Sequence, residues 1–222
     1  MKAQSILFPL ALTVVGTMAT ASVAFADEAP AAAGQPAAAA PAAETSPVTV
    51  NVNLVSDYRF RGIDQTWGKP AVQGGVDFAA ESGIYLGAWS SNVSGNSYPG
   101  GSQELDLYGG YNGKINDDWS YTVGAYGYVY PGANFANSAC PSAAYATPCK
   151  LPNQSLNTLE LNAGVTWKWI SYKLSVATGD YFGANQSTGY SKGTAGTTYQ
   201  DITVTVPLAD DLTWSATLAT PT

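Results

Sequence analysis

The chain has 222 residues, of which only 11% are charged, with 23 glycines, 14 tyrosines, 6 tryptophans and no histidine. Without imidazole, Ser-His-Asp and Cys-His catalysis, histidine metal sites and histidine proton shuttles are all excluded. Sixteen acidic residues against nine basic ones argue against nucleic acid as a partner, since phosphate binding needs a basic surface.

Lys2, the apolar run Ile6 to Val15 and the small residues Ala24-Phe25-Ala26 have the layout of a cleavable export signal over residues 1–26. Its removal leaves eight basic residues against sixteen acidic, a net charge of −8. No Cys follows the apolar run, so a lipid anchor is not expected. Residues 27–47 are Ala- and Pro-rich with no core-forming side chains, which predicts a disordered linker. Residues 48–222 then form one domain. After the signal no run of 18 apolar residues occurs, which rules out helical membrane spans. Soluble domains carry about a quarter charged residues. Low charge, many aromatics and an export signal together favour a membrane β-barrel over a secreted β-sandwich, whose outer faces need charge.

The stretch Val48 to Arg61 alternates with period two. Val48, Val50, Val52, Leu54, Ser56, Tyr58 and Phe60 share one face, and Thr49, Asn51, Asn53, Val55, Asp57, Arg59 and Arg61 share the other. It reads as a single long strand with lipid on its aliphatic side, Tyr58 and Phe60 at the outer interface, and Asp57, Arg59 and Arg61 pointing inward. Ala71 to Ala80 follows, setting Val72, Gly74, Val76 and Phe78 against Gln73, Gly75 and Asp77. Ile84 to Asn92 is ambiguous, because Tyr85 and Trp89 share one face and Ile84, Leu86 and Ala88 the other. In Gln103 to Asn112, Leu105 and Leu107 oppose Glu104, Asp106 and Tyr108. Trp119 to Tyr130 sets Trp119, Tyr121, Val123 and Val129 against Tyr126, Tyr128 and Tyr130. Leu159, Leu161, Val165 and Trp167 oppose Glu160, Asn162 and Thr166. Tyr172, Leu174 and Val176 oppose Lys173, Ser175 and Ala177, and Ile202 and Val204 oppose Asp201 and Thr203. A turn at Pro207 to Asp211 leads into a ninth strand from Leu212.

Connections alternate long and short along all nine strands, as in a meander rather than a Greek key. The expected fold is therefore all-β, an antiparallel up-and-down transmembrane β-barrel. Bacterial barrels have even strand numbers, so a complete barrel of 10–12 strands is expected, with the C-terminal strands lacking from this chain.

The wording VSDYRFRGIDQTWGKPAVQGGVDF at Val55 to Phe78, with ESGIYLGAWSSNV from Glu81 and ELDLYGGY from Glu104, resembles the TorF family of porins, also called the Gcw_chp conserved hypothetical family. The resemblance covers most of the chain after the linker. It implies an outer-membrane β-barrel with a channel role, and it supplies no catalytic or ligand residues.

Asp57, Asp77, Glu104, Asp106, Glu160 and Asp201 fall on inward faces with Arg59, Arg61 and Lys173. Six acids against three bases predict mild cation preference in a narrow pore. The competing expectation is that these charges pair and plug the lumen. Tyr126, Tyr128 and Tyr130 fill space or join an interfacial girdle; a sugar track is the less favoured reading. Cys140 and Cys149, in the longest loop, are expected to form a disulfide. No metal site, cofactor or enzyme chemistry is expected.

Two function classes stay open. One is a passive outer-membrane channel for small solutes or ions, whose partners are lipid and solute. The other is a non-conducting outer-membrane structural protein or adhesin acting through its loops. A soluble exported barrel is the structural rival.

Overall fold

The computed structural model describes residues 12–16, 26–27, 46–138, 151–209 and 212–221. Most of the expected export signal and linker, and both Cys140 and Cys149, lie outside these residues. Nine antiparallel strands follow one another in simple order. They are β1 (Val48–Val55), β2 (Ala71–Ala79), β3 (Ile84–Asn92), β4 (Gln103–Lys114), β5 (Trp119–Val129), β6 (Thr158–Trp167), β7 (Ile170–Ala177), β8 (Thr198–Ala209) and β9 (Leu212–Pro221). Leu12–Gly16 pairs antiparallel with β9 through Leu12↔Leu218 to Gly16↔Trp214. That segment lies within the stretch read as an export signal, whose cleavage would leave β9 at the edge. Among the described residues no ladder joins β1 to β9, so the sheet is up-and-down without a closing pair.

Short connections all lie at one end of the sheet and long ones at the other. The short ones owe their shape to turn chemistry. At Ala80 to Gly83 the Gly83 N–H donates to the Ala80 carbonyl at 2.9 Å, with Gly83 at φ 96°, a backbone that side chains rarely tolerate. In the next short turn the Asn116 side-chain oxygen accepts from the backbone N–H groups of Asp118 and Trp119, both at 2.9 Å. Pro207 does not end β8. The strand runs on to Ala209 through a register shift between Pro207 and Ala209, a position where a missing N–H is tolerated.

Strict alternation decides the two faces. Outward positions carry aliphatic and aromatic side chains left largely uncovered: Val50, Val52 and Leu54 are 73%, 76% and 77% exposed, and Val72, Leu86, Leu107, Leu159, Leu161 and Ile202 are also exposed. Trp119, Trp167 and Trp169 are exposed near the short-turn end, where Trp119 and Trp167 sit side by side with ring centroids 6.1 Å apart. The ambiguous third strand resolves with Tyr85 and Trp89 inward and Ile84 and Leu86 outward.

Inward positions divide along the strand axis. Toward the long-loop end they are aromatic and charged, and buried: Trp89, Glu104, Asp106, Tyr108, Tyr128 and Glu160. Toward the short-turn end they are small and polar, as in the cross-strand hydroxyl contacts Thr203–Thr217 at 2.9 Å and Thr205–Ser215 at 2.7 Å. Glycines make room for the large inward rings. A Cβ at Gly110 or Gly124 would meet the Tyr85 hydroxyl at 2.6 or 2.4 Å, so this tyrosine lies across two neighbouring strands.

The main departure from the periodicity reading is at Val48 to Arg61. The strand stops at Val55, and Ser56-Asp57 carry the chain off the sheet. Tyr58–Phe60 forms a separate short hairpin with Ile63–Asp64 through Arg59↔Asp64 and Phe60↔Ile63. Its first strand also pairs in parallel with Ala26–Asp27. Tyr58 and Phe60 are therefore not on the outer interface. They are buried, packed on inward side chains of the sheet.

Candidate functional site

The hairpin is built around Arg61-Gly62. Both residues have positive φ, 51° and 77°, the backbone that a two-residue turn between twisted strands requires. Glycine adopts it freely. Arg61 does so at a steric cost, and its side chain is held through both terminal nitrogens, while the buried Nε has no hydrogen-bond partner. Nη1 and Nη2 donate to Oε1 and Oε2 of Glu160 at 2.7 and 2.8 Å, a bidentate pair, and Nη1 also donates to the Tyr181 hydroxyl at 2.8 Å. The guanidinium lies 3.9 Å from the Tyr199 ring centroid and 4.8 Å from that of Phe60. The Arg61 and Glu160 side chains are only 7% and 3% exposed.

The hairpin thus bridges the interior. Tyr58 packs edge-on against Trp89 of β3 at 5.5 Å, Phe60 against Tyr128 of β5 at 5.3 Å, and Arg61 against Glu160 of β6 and Tyr199 of β8. The hairpin packs against the inward face of the sheet, where Trp89, Tyr128 and Glu160 are buried.

The base of the hairpin has its own anchors. The Ser94 N–H donates to the Gln65 carbonyl at 2.8 Å, and the Tyr98 hydroxyl donates to the Gln65 side-chain oxygen. Tyr98 in turn meets Tyr130, stacked at 3.9 Å with hydroxyls 3.1 Å apart, and the Tyr130 hydroxyl donates to Glu104 Oε1 at 2.7 Å. Phe182, from the β7–β8 connection, closes the aromatic group against Phe60, Tyr128 and Tyr130.

The nine charged candidates do not form one ring. Arg61 with Glu160 lies at the centre of the hairpin contact. Lys173 and Asp201 face each other across β7 and β8 with Nζ and Oδ2 3.7 Å apart, and neither Asp201 oxygen has a hydrogen-bond partner. Asp57 and Arg59 pair at 2.8 Å, with the Arg59 side chain 53% exposed. They sit apart from the interior group. Asp77 accepts from the Tyr108 hydroxyl at 2.6 Å, and Asp106 accepts from the Tyr126 hydroxyl at 2.9 Å. Glu104 and Asp106 are fully buried, and Asp106 Oδ1 lacks a hydrogen-bond partner. The three bases each pair with one acid, so among the described residues Asp77, Glu104 and Asp106 are held by tyrosine hydroxyls rather than by cations.

Alternation places Tyr108, Tyr126 and Tyr130 on the inward side with the acids they partner, whereas Gln65, Tyr98, Tyr181 and Phe182 arrive from connections, where periodicity has no way to find them. The available signal was Arg61-Gly62 between two short apolar runs. Tyr126, Tyr128 and Tyr130 fill the interior and do not line a girdle. Among the described residues no group of three or more His, Cys, Asp or Glu side chains could hold a metal ion. In the β7–β8 connection Asp180 accepts from Asn185 Nδ2 at 2.9 Å and from the Thr194 N–H at 3.1 Å. These contacts hold its carboxyl below the usual aspartate range.

Comparison with curated proteins gives no match, and neither does comparison with solved structures. A family model described as a bacterial protein of unknown function, Gcw_chp, matches residues 39–216. That span runs from the Ala/Pro-rich segment into the ninth strand, and the chain belongs to the Gcw_chp family.

Proposed function

We propose that this chain is a bacterial outer-membrane protein of the β-barrel type, a porin-like channel for small solutes or ions with mild cation preference. The observation that carries the reading is the outward face. Aliphatic side chains stay exposed on strand after strand, a contiguous apolar face of the kind that marks a membrane or partner surface. Tryptophans gather near the short-turn end, as at a membrane interface. Strand lengths of eight to twelve residues suit tilted membrane crossings of about 9–11 residues. The absence of a long apolar helix among the described residues leaves this reading intact, since barrels cross with strands.

The channel part rests on the opposite face. Small polar side chains toward the short-turn end suit a wetted lumen. The cation preference rests on Asp77, a half-buried inward carboxylate that no basic side chain offsets among the described residues. One observation favours the second reading, a non-conducting outer-membrane structural protein or adhesin: aromatic side chains and the hairpin fill the long-loop end. The full chain refolded into a planar bilayer separates the two. Steady current steps with a cation-directed reversal potential in a KCl gradient support the channel. A protein that inserts and stays silent both as the parent and with Arg61→Ala supports the second reading, and anion-directed reversal removes the cation preference.

A further inference from the structure

We propose that the hairpin Tyr58–Asp64 is a latch over the interior path, shut by the Arg61–Glu160 pair and able to swing outward when that pair breaks. This rests on the channel reading above for its purpose, though not for its mechanics.

Three features distinguish a latch from a permanent plug. The hairpin makes its own two-residue turn and belongs with Ala26–Asp27 to a small sheet that shares no ladder with the nine-stranded meander, so it can move as a unit with that segment. Bends flank it on both sides. Ser56-Asp57 leaves the first strand, and Trp67-Gly68 carries positive φ at both residues, 57° and 65°. The anchors also differ in kind at its two ends. The base is tied by the Ser94–Gln65 backbone bond and the Tyr98–Gln65 contact, whereas the tip is held by one guanidinium gripping Glu160, Tyr181 and Tyr199 and by Phe60 against Tyr128 and Phe182.

Closure carries its own opposing cost. Tyr58 covers Trp89 beside Asp106, and the cluster leaves Asp106 Oδ1 and Trp89 Nε1 buried without hydrogen-bond partners. Buried polar atoms without partners are unfavourable, and water reaching them on opening removes that penalty. The shut state therefore depends on the Arg61 contacts and the Phe60–Tyr128–Phe182 packing to outweigh it. A permanent plug needs no such balance.

The test uses the full chain folded in lipid vesicles, with Cys140→Ser and Cys149→Ser, and Ser175→Cys as a reporter. Ser175 is buried, points inward and pairs with Tyr199, whose ring Arg61 covers. A charged, membrane-impermeant methanethiosulfonate measures access. The latch predicts slow labelling in the parent, about tenfold or faster labelling with Arg61→Ala or Glu160→Gln after loss of charge-assisted bonds, and slow labelling again in the exchange Arg61→Glu with Glu160→Arg. Tyr181→Phe removes only one hydrogen bond and gives a smaller rise, which keeps the test open should Arg61→Ala fail to fold. Equal labelling rates in all folded variants overturn the latch, even if bilayer currents are seen. Faster labelling with Arg61→Ala or Glu160→Gln, in variants that insert and yet stay silent in bilayers, upholds the latch and removes the channel reading.

Discussion

Arg61 and Glu160 stand 99 residues apart in the chain and meet through two parallel hydrogen bonds of 2.7 and 2.8 Å, both side chains nearly out of solvent. A bidentate pair with aromatic faces around it depends on the planar guanidinium, which a lysine cannot replace. Arg61→Lys is therefore expected to behave like Arg61→Ala, not like the parent. Breaking a fully buried pair costs about 3–5 kcal/mol when the orphaned charge stays buried. If the hairpin swings away, Glu160 regains water and the loss in urea unfolding falls below that range. A loss of the full amount would mean that the hairpin stays in place.

Gly87 lies between Asp77 and Tyr108 in the cross-strand row, and their 2.6 Å hydrogen bond passes over it. A Cβ there would meet the Tyr108 ring at 2.2 Å and the Asp77 carboxylate at 2.6 Å. Gly87→Ala should lower stability by about 1–3 kcal/mol, the usual cost of overpacking. Gly127→Ala is the control, because its nearest neighbour is the Leu107 carbonyl oxygen at 3.5 Å, an ordinary contact. Unfolding midpoints of the two variants should separate clearly.

Leu107 sits mid-strand on the outward face, 53% exposed. On a soluble protein an exposed substitution there would change stability by within about 0.5 kcal/mol. In a bilayer, Leu107→Arg near the midplane should cost about 2–4 kcal/mol. Lys114, at the short-turn end of the same strand, already carries a charge paired with Asp117 at 2.8 Å. Refolding yields into lipid vesicles, compared between Leu107→Arg and the parent, check the difference.

Asp180 organises the β7–β8 connection through Asn185 and Thr194, and these contacts hold its carboxyl below the ordinary value. Its folded value lies under the unfolded one, near 3.9. The contribution to loop order is then fully present above that range and fades as pH falls through the depressed value. The protection of the Thr194 amide, taken relative to its intrinsic exchange rate at each pH, should fall below about pH 4 in the parent, following protonation of Asp180. Asp180→Asn should flatten that dependence, and an unchanged pH profile would assign the loop's order to other contacts.

Much of the fold was legible because period-two alternation is a strong signal wherever one face differs from the other. Glu104, Asp106 and Glu160 stand on inward faces, as their spacing predicts, and the alternation of long and short connections places the loops at one end. The third strand was illegible because its aromatic pair and its aliphatic pair could each face either way. Tyr85 points inward since Gly110 and Gly124 leave space for it, a fact recorded only in neighbouring strands. At Ser56-Asp57 the alternation continues on paper while the chain leaves the sheet, so Tyr58 and Phe60 were read onto the wrong surface. Periodicity sees local facing. It does not see a hairpin folding back across the inward face to meet Glu160.

The account depends first on lipid covering the outward face. Fractionation of cells expressing the full chain tests that most directly. Recovery with the outer membrane, with mobility in gels that shifts on heating, is the predicted result. Recovery as soluble protein in the periplasm would contradict it.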